Sequence, residues 1–191
     1  MTPQGPPAGW QSALADGDIV VFWLPCAPDV AVARCRAREA SRRLAGEASV
    51  AHSAGRPLRL SRTATKGLAG VALALDTPVG LDAEAPGPDP LPPEAMRLAL
   101  HPEELDDADP RAGGFSWLWT RKEASLKALG VGLAFAPGRI VTGGRDETWR
   151  PVHQPLAAGL HVRSLHAPSA IPSALAVLGP PRRVREHVLA P

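Results

Sequence analysis

The segment Phe115-Ser116-Trp117-Leu118-Trp119-Thr120-Arg121-Lys122-Glu123-Ala124-Ser125-Leu126-Lys127-Ala128-Leu129 holds the strongest structural signal in the chain. It contains no Gly or Pro, and Gly130 follows it as a stop. At about 100° per residue, Phe115, Leu118, Trp119, Leu126 and Leu129 form one apolar stripe. The spacing predicts a helix over 115–129. Lys122 falls in the middle of the stripe, and Glu123 and Lys127 lie one turn apart along its edge. Such a pair is either an i,i+4 surface pair or one wall of a ligand cleft, with Glu123 on a metal and the lysines toward phosphate. Lys122 reads otherwise as a snorkelling side chain, its stem on apolar surface and its amine in water.

Upstream of this helix the chain reads as short elements between breakers. Asp18 to Leu24 is β-branched and aromatic and stops at Pro25, as a buried strand would. Pro28-Asp29 opens a helix from Val30 to about Leu44, with Gly46 as its stop and Arg34, Arg36, Arg38, Arg42 and Arg43 along it. This basic run reads as a solvated face first and a single-phosphate site second. Leu58–Ser61 suggests a short strand, and Leu68–Leu75 is almost wholly apolar until Asp76-Thr77-Pro78 breaks it. Val79–Glu84 is a further extended piece. Ala85–Pro93, with five prolines in nine residues, is a loop, and Glu94–Leu100 a short helix before the acidic connector His101–Gly114. Strands are expected near Arg139–Val141, Gly159–Leu165 and Ala174–Leu178. The mixed order indicates an α+β protein.

Composition narrows the classes. The 191 residues suit one domain or two small lobes, and 45% hydrophobic with 21% charged residues excludes a mainly disordered chain. No apolar run is long enough to span a membrane. The Pro/Gly-rich start carries neither basic nor apolar signal regions, and Cys26 and Cys35 form no framework, so a cytoplasmic protein with reduced thiols is expected. The net charge of +2 argues little for nucleic acid. No G-x-S-x-G, Walker A or G-x-G-x-x-G pattern occurs, and the six histidines lack metal spacing, which disfavours hydrolase triads, P-loop enzymes and Rossmann dehydrogenases.

In Gly80-Leu81-Asp82-Ala83-Glu84, an extended chain sends Leu81 and Ala83 one way and Asp82 and Glu84 the other. Two adjacent carboxylates repel unless a cation joins them, so the pair is either a solvated strand end or a hard-cation site.

Taken together, Gly80–Glu84 and Trp119–Lys127 resemble the G-[VI]-D-x-E and W-x-x-K-E-[AS]-x-x-K motifs of the 4′-phosphopantetheinyl transferases of the single-chain, surfactin-synthetase type. Asp18–Pro25, Arg42–Gly46, Gly55-Arg56-Pro57 and Ala128–Leu133 extend the resemblance over about residues 18–142. Where the family usually has S-H-S, this chain has Ser61-Arg62-Thr63.

The resemblance implies two similar α+β lobes related by a pseudo-twofold, an N-terminal lobe 18–78 and a C-terminal lobe 79–179; the sequence itself reads as a flexible leader over 1–17 and a solvated basic tail over 180–191. It implies transfer of 4′-phosphopantetheine from coenzyme A, the co-substrate, to a serine of an acyl or peptidyl carrier protein, releasing 3′,5′-ADP. The implied metal is Mg²⁺, or Mn²⁺, on Asp82, Glu84 and Glu123. Glu123, directly or through a water it orients, is the implied base, with Lys127 as its catalytic companion. Arg42, Arg56, Ser61, Arg62, Lys122 and Lys127 are the implied CoA contacts. A monomer suffices, in fatty-acid or secondary-metabolite synthesis, with no nucleic-acid or membrane partner. The alternatives are a weak or inactive relative that binds CoA or a carrier without transfer, or a small Arg-rich nucleic-acid binder.

Overall fold

The computed structural model describes residues 5–51, 55–85, 92–107, 114–144 and 146–190. Its elements run α1 (Trp10–Ala15), β1 (Ile19–Pro25), α2 (Val30–Ala51), β2 (Leu58–Thr65), β3 (Leu68–Leu75), β4 (Val79–Ala83), α3 (Pro93–Ala99), α4 (Gly114–Leu129), β5 (Arg150–Pro151), β6 (Leu160–Ser164), β7 (Ser173–Leu178) and β8 (Val184–Val188). The class is α+β, as expected. One four-stranded sheet has the order β2-β3-β1-β8, and the other β4-β7-β6-β5.

The apolar runs explain the layering. β1 and β3 are buried on both faces, so their sequences need not alternate. Val20, Phe22 and Leu24 pack with the α1 and α2 side chains Trp10, Leu14, Ala37 and Leu44. Ile19, Val21 and Trp23 point the other way and meet Val79, Leu81, Ala83, Leu175 and Val177 of the second sheet. The far face of that sheet, through Val162, Ala174 and Ala176, packs on Ala124, Leu126 and Ala128 of α4. The order is helices, sheet, sheet, helix.

Several boundaries differ from the sequence expectation. Part of the 1–17 leader is ordered: Trp10 and Leu14 are buried, and Trp10 meets Phe22 edge to face, which holds α1 against the core. α2 begins as expected, with the Asp29 carboxylate accepting the Ala31 and Val32 N–H groups. It then runs through Gly46 to Ala51, because buried Ala48 continues the core-facing row of Ala37, Ala40 and Leu44. The 180–191 tail is not a solvated strap. Its β8 pairs in parallel with β1, closed by Ile19 N–H to Arg183 O (2.8 Å), Leu189 N–H to Trp23 O (2.8 Å) and the Arg185–Asp18 ion pair (2.9 Å). Residues 137–139 form a 3₁₀ turn, and only Val141 bridges, to His153. The proline-rich stretch 86–91 lies outside the described residues. Cys26 and Cys35 are free, Cys35 being exposed. Among the described residues, no helix is long and apolar enough to cross a membrane.

Two glycines set the course of α4. Gly130 takes a positive φ of 72°, which ends the helix where the sequence puts its stop. Gly80 faces the helix so closely that a Cβ there would overlap the Ala124 carbonyl oxygen and press on the Ala128 amide. The face of β4 that carries Gly80 also carries Asp82, so the contact sets the height of α4 above the carboxylate. Gly80→Ala is expected to cost at least about 2 kcal/mol of stability, the scale of core overpacking. Chemical denaturation checks this; a wild-type midpoint for Gly80→Ala would contradict the close approach.

Candidate functional site

β2 and β4 are edge strands of different sheets, and side chains join them. The hydroxyls of Ser61, Thr63 and Thr65 accept the Leu81, Ala83 and Ala85 N–H groups at 2.9, 3.0 and 2.9 Å. Residues two apart on one strand serve residues two apart on the other, and this matched period holds β4 in register beside β2.

Beside this joint lies a cleft of about 440 Å³. Arg34, Ala37 and Arg38 of α2 and Arg62, Thr63 and Ala64 of β2 line one part. Asp82, Glu84, Glu123 and Lys127 line the other. Each of the three carboxylates offers an oxygen within 4.8 Å of the others. Asp82 is no solvated strand-end residue: it is 2% exposed. Its Oδ1 accepts from Lys127 Nζ at 2.6 Å and from the Thr63 hydroxyl at 3.3 Å, while Oδ2 is buried with no partner. Lys127 also donates to the Leu81 carbonyl at 3.1 Å and reaches that of Arg62 at 3.5 Å, tying α4 to both edge strands.

These carboxyls are hard to ionise without a further cation. Burial pushes Asp82 up, against the charge and hydrogen bond of Lys127. Burial, with the charges of Asp82 and Glu123, takes Glu84 up to about 7. Glu123 is raised by burial and by Asp82. Three carboxylates beside one ammonium leave two negative charges unbalanced when all are ionised. The unpartnered Asp82 Oδ2 and the all-oxygen donor set fit a hard divalent ion such as Mg²⁺ or Mn²⁺.

The other sequence-singled residues lie elsewhere. Lys122 does not snorkel toward phosphate. It is fully buried, paired with Glu104 at 2.6 Å, and donates to the carbonyls of Pro137 and Ile140. Glu104 also accepts from Thr142 N–H (2.8 Å) and His101 N–H (3.1 Å). Burial works against its charge, yet Lys122 and these donors hold its carboxyl below the usual range. The pair bolts the connector and residues 137–142 to α4. Ser61 is consumed by the strand joint. Arg56 pairs with Asp76 and donates to Ala15 O (3.0 Å), and Arg42 is exposed on α2; neither lines the cleft. Arg62 does line it, together with Arg34 and Arg38, which the sequence marked only as part of a basic run. Their i,i+4 spacing was the available signal, since it puts both on one face of α2.

Residues 78–162 match the family model of the 4′-phosphopantetheinyl transferase superfamily. The matched stretch holds β4, α4 and all three carboxylates. No curated protein matches the chain.

The raised Glu84 carboxyl makes a testable demand. A folded-state pKa near 7 against an ordinary 4.5 means that folding loses stability as pH climbs through that window. Glu84→Gln removes the penalty. Allowing for its half-exposed side chain, about 1 kcal/mol is recovered. In chelator at pH 8, Glu84→Gln is expected to raise Tm by about 2–4 °C, with little change at pH 4.5. A lower Tm for Glu84→Gln at pH 8 would show that the carboxylate is a structural support instead.

Proposed function

We propose that the protein transfers the 4′-phosphopantetheine group of coenzyme A to a serine of an acyl or peptidyl carrier protein. The observation that carries the reading is the buried, unpartnered Asp82 Oδ2 within a carboxylate trio, across one cleft from Arg34, Arg38 and Arg62. A cleft acidic at one end and guanidinium-lined at the other suits a polyphosphate bound with a dication.

In this reading Asp82, Glu84 and Glu123 hold Mg²⁺ or Mn²⁺. The ion, when bound, offsets the charge of the pyrophosphate. Arg34, Arg38 and Arg62 bind phosphate oxygens through planar forks of N–H donors. Lys127 opposes the protonation that burial favours at Asp82 and holds its carboxylate in place. The serine oxygen forms a bond to the β-phosphorus. The bond from that phosphorus to the bridging oxygen breaks, and its electron pair leaves on the α-phosphate of 3′,5′-ADP. Glu123, whose basicity is raised by burial and by Asp82, takes the serine proton directly or through a water. A cytoplasmic monomer suffices, since one chain supplies both walls of the cleft.

The test is the intact mass of a serine-bearing acyl carrier protein after incubation with the protein, CoA and Mg²⁺. The expected result is a gain of one phosphopantetheine group. Asp82→Asn, which keeps the shape of the buried side chain and removes its charge, is expected to abolish the gain. Arg62→Ala is expected to weaken CoA by about 1.5–3 kcal/mol, the scale of a charged hydrogen bond. CoA binding by calorimetry with no mass gain on any carrier would replace the transferase by a relative that binds without transfer.

A further inference from the structure

Thr63 differs from its two partners in the strand joint. Ser61 and Thr65 each accept one backbone N–H of the β4 segment. Thr63 does this for Ala83 at 3.0 Å and also turns its hydroxyl proton to Asp82 Oδ1 at 3.3 Å. A hydroxyl has one proton, and accepting the Ala83 N–H biases where that proton points. Thr63 is 5% exposed, so water does not compete freely for the bond.

The same carboxylate oxygen takes the Lys127 ammonium at 2.6 Å. Two donors therefore converge on Oδ1, and Oδ2 is left without a protein partner, as a carboxylate must be if one oxygen is to serve a ligand. Asp82 has only two side-chain torsions, and the Lys127 contact alone does not set the plane of the carboxylate, because an ammonium is a rotatable point donor on a flexible stem. The Thr63 hydroxyl sits on a stiff β-branched side chain pinned by the Ala83 amide.

We infer that Thr63 is a positioning residue for Asp82: its hydroxyl turns Oδ1 away so that Oδ2 is presented to the cation held with Glu84 and Glu123. This rests on the divalent-cation reading of that trio. It assigns Thr63 a role in metal affinity beyond the strand pairing it shares with Thr65.

The two contributions separate by substitution. Thr63→Val keeps the shape and loses both bonds. Thr63→Ser keeps both. Thr65→Val loses the equivalent strand bond and leaves Asp82 untouched. Mn²⁺ binding to the full chain is read by the loss of the free-ion paramagnetic resonance signal, and thermal unfolding is read on the same samples. Thr63→Val is expected to weaken Mn²⁺ at least about tenfold, the scale of one hydrogen bond to a charged group, while Thr63→Ser stays within about twofold of wild type and Thr65→Val within about threefold. Both valine variants are expected to unfold at lower temperature than wild type. Thr63→Ala, which leaves room for a water on the Ala83 amide, serves if Thr63→Val does not fold. Wild-type Mn²⁺ affinity in the Thr63→Val or Thr63→Ala protein, or an equal loss in Thr65→Val, would overturn the positioning role alone. A wild-type protein that takes up no Mn²⁺ would overturn the cation reading of the trio and this role together.

Discussion

Three side-chain hydroxyls hold the two halves of this molecule in register. β2 and β4 belong to different sheets, and the N–H groups of Leu81, Ala83 and Ala85 find no strand partner on the β2 side. Leaving such amides buried and unpaired would cost on the order of 1–3 kcal/mol each. Ser61, Thr63 and Thr65 satisfy all three, so the joint is both a polar requirement and a ruler. The arginine-bearing side of the cleft moves with β2, and Asp82 and Glu84 move with β4. Their separation is set by the length of a hydroxyl bond rather than by a loop.

The second constraint is charge. Two lysines five residues apart on α4 meet opposite fates. Lys122 is sealed with Glu104 and spends its donors on carbonyls, which makes it part of the scaffold. Lys127 reaches the cleft wall, where one ammonium faces three carboxylates. Removing one partner of a buried pair such as Lys122–Glu104 leaves a naked charge and is strongly destabilising. The carboxylate trio is the reverse case: its members repel, and burial raises all three above the ordinary range. A fold optimised for stability alone would not gather them. The scaffold pair and the trio share α4, so the interior that anchors the helix also carries the strain of the site.

The elements that sequence made legible are those whose signal is local. α4 showed through its 3.6-residue stripe and Gly130 stop, and β3 through an apolar run bounded by breakers. Asp82, Glu84 and Glu123 came together through a motif resemblance, and their spacing alone did not exceed an ordinary strand end. What escaped needs distant chain. Nothing near Lys122 indicates that Glu104, in an acidic connector, is its partner. Nothing in the charged tail announces a strand, because β8 is half-buried and pairs in parallel with β1 across most of the chain length. Arg34 and Arg38 could be placed on one helix face but not on the cleft side until α2 had a sheet to lie on. The β2 hydroxyls alternate visibly in sequence, yet without β4 beside them they read as a polar edge.

As proposed, the carboxylate trio around buried Asp82 is a divalent-cation site opening onto the arginine-lined cleft. A crystal structure of the full chain with CoA and Mn²⁺, read by the anomalous signal of manganese, tests it most directly. One peak is expected within about 2.0–2.4 Å of an oxygen from each of Asp82, Glu84 and Glu123, with Asp82 contributing Oδ2 and Lys127 still on Oδ1. A manganese peak elsewhere on the molecule, or a bound CoA whose phosphates avoid both the trio and Arg34, Arg38 and Arg62, would contradict it.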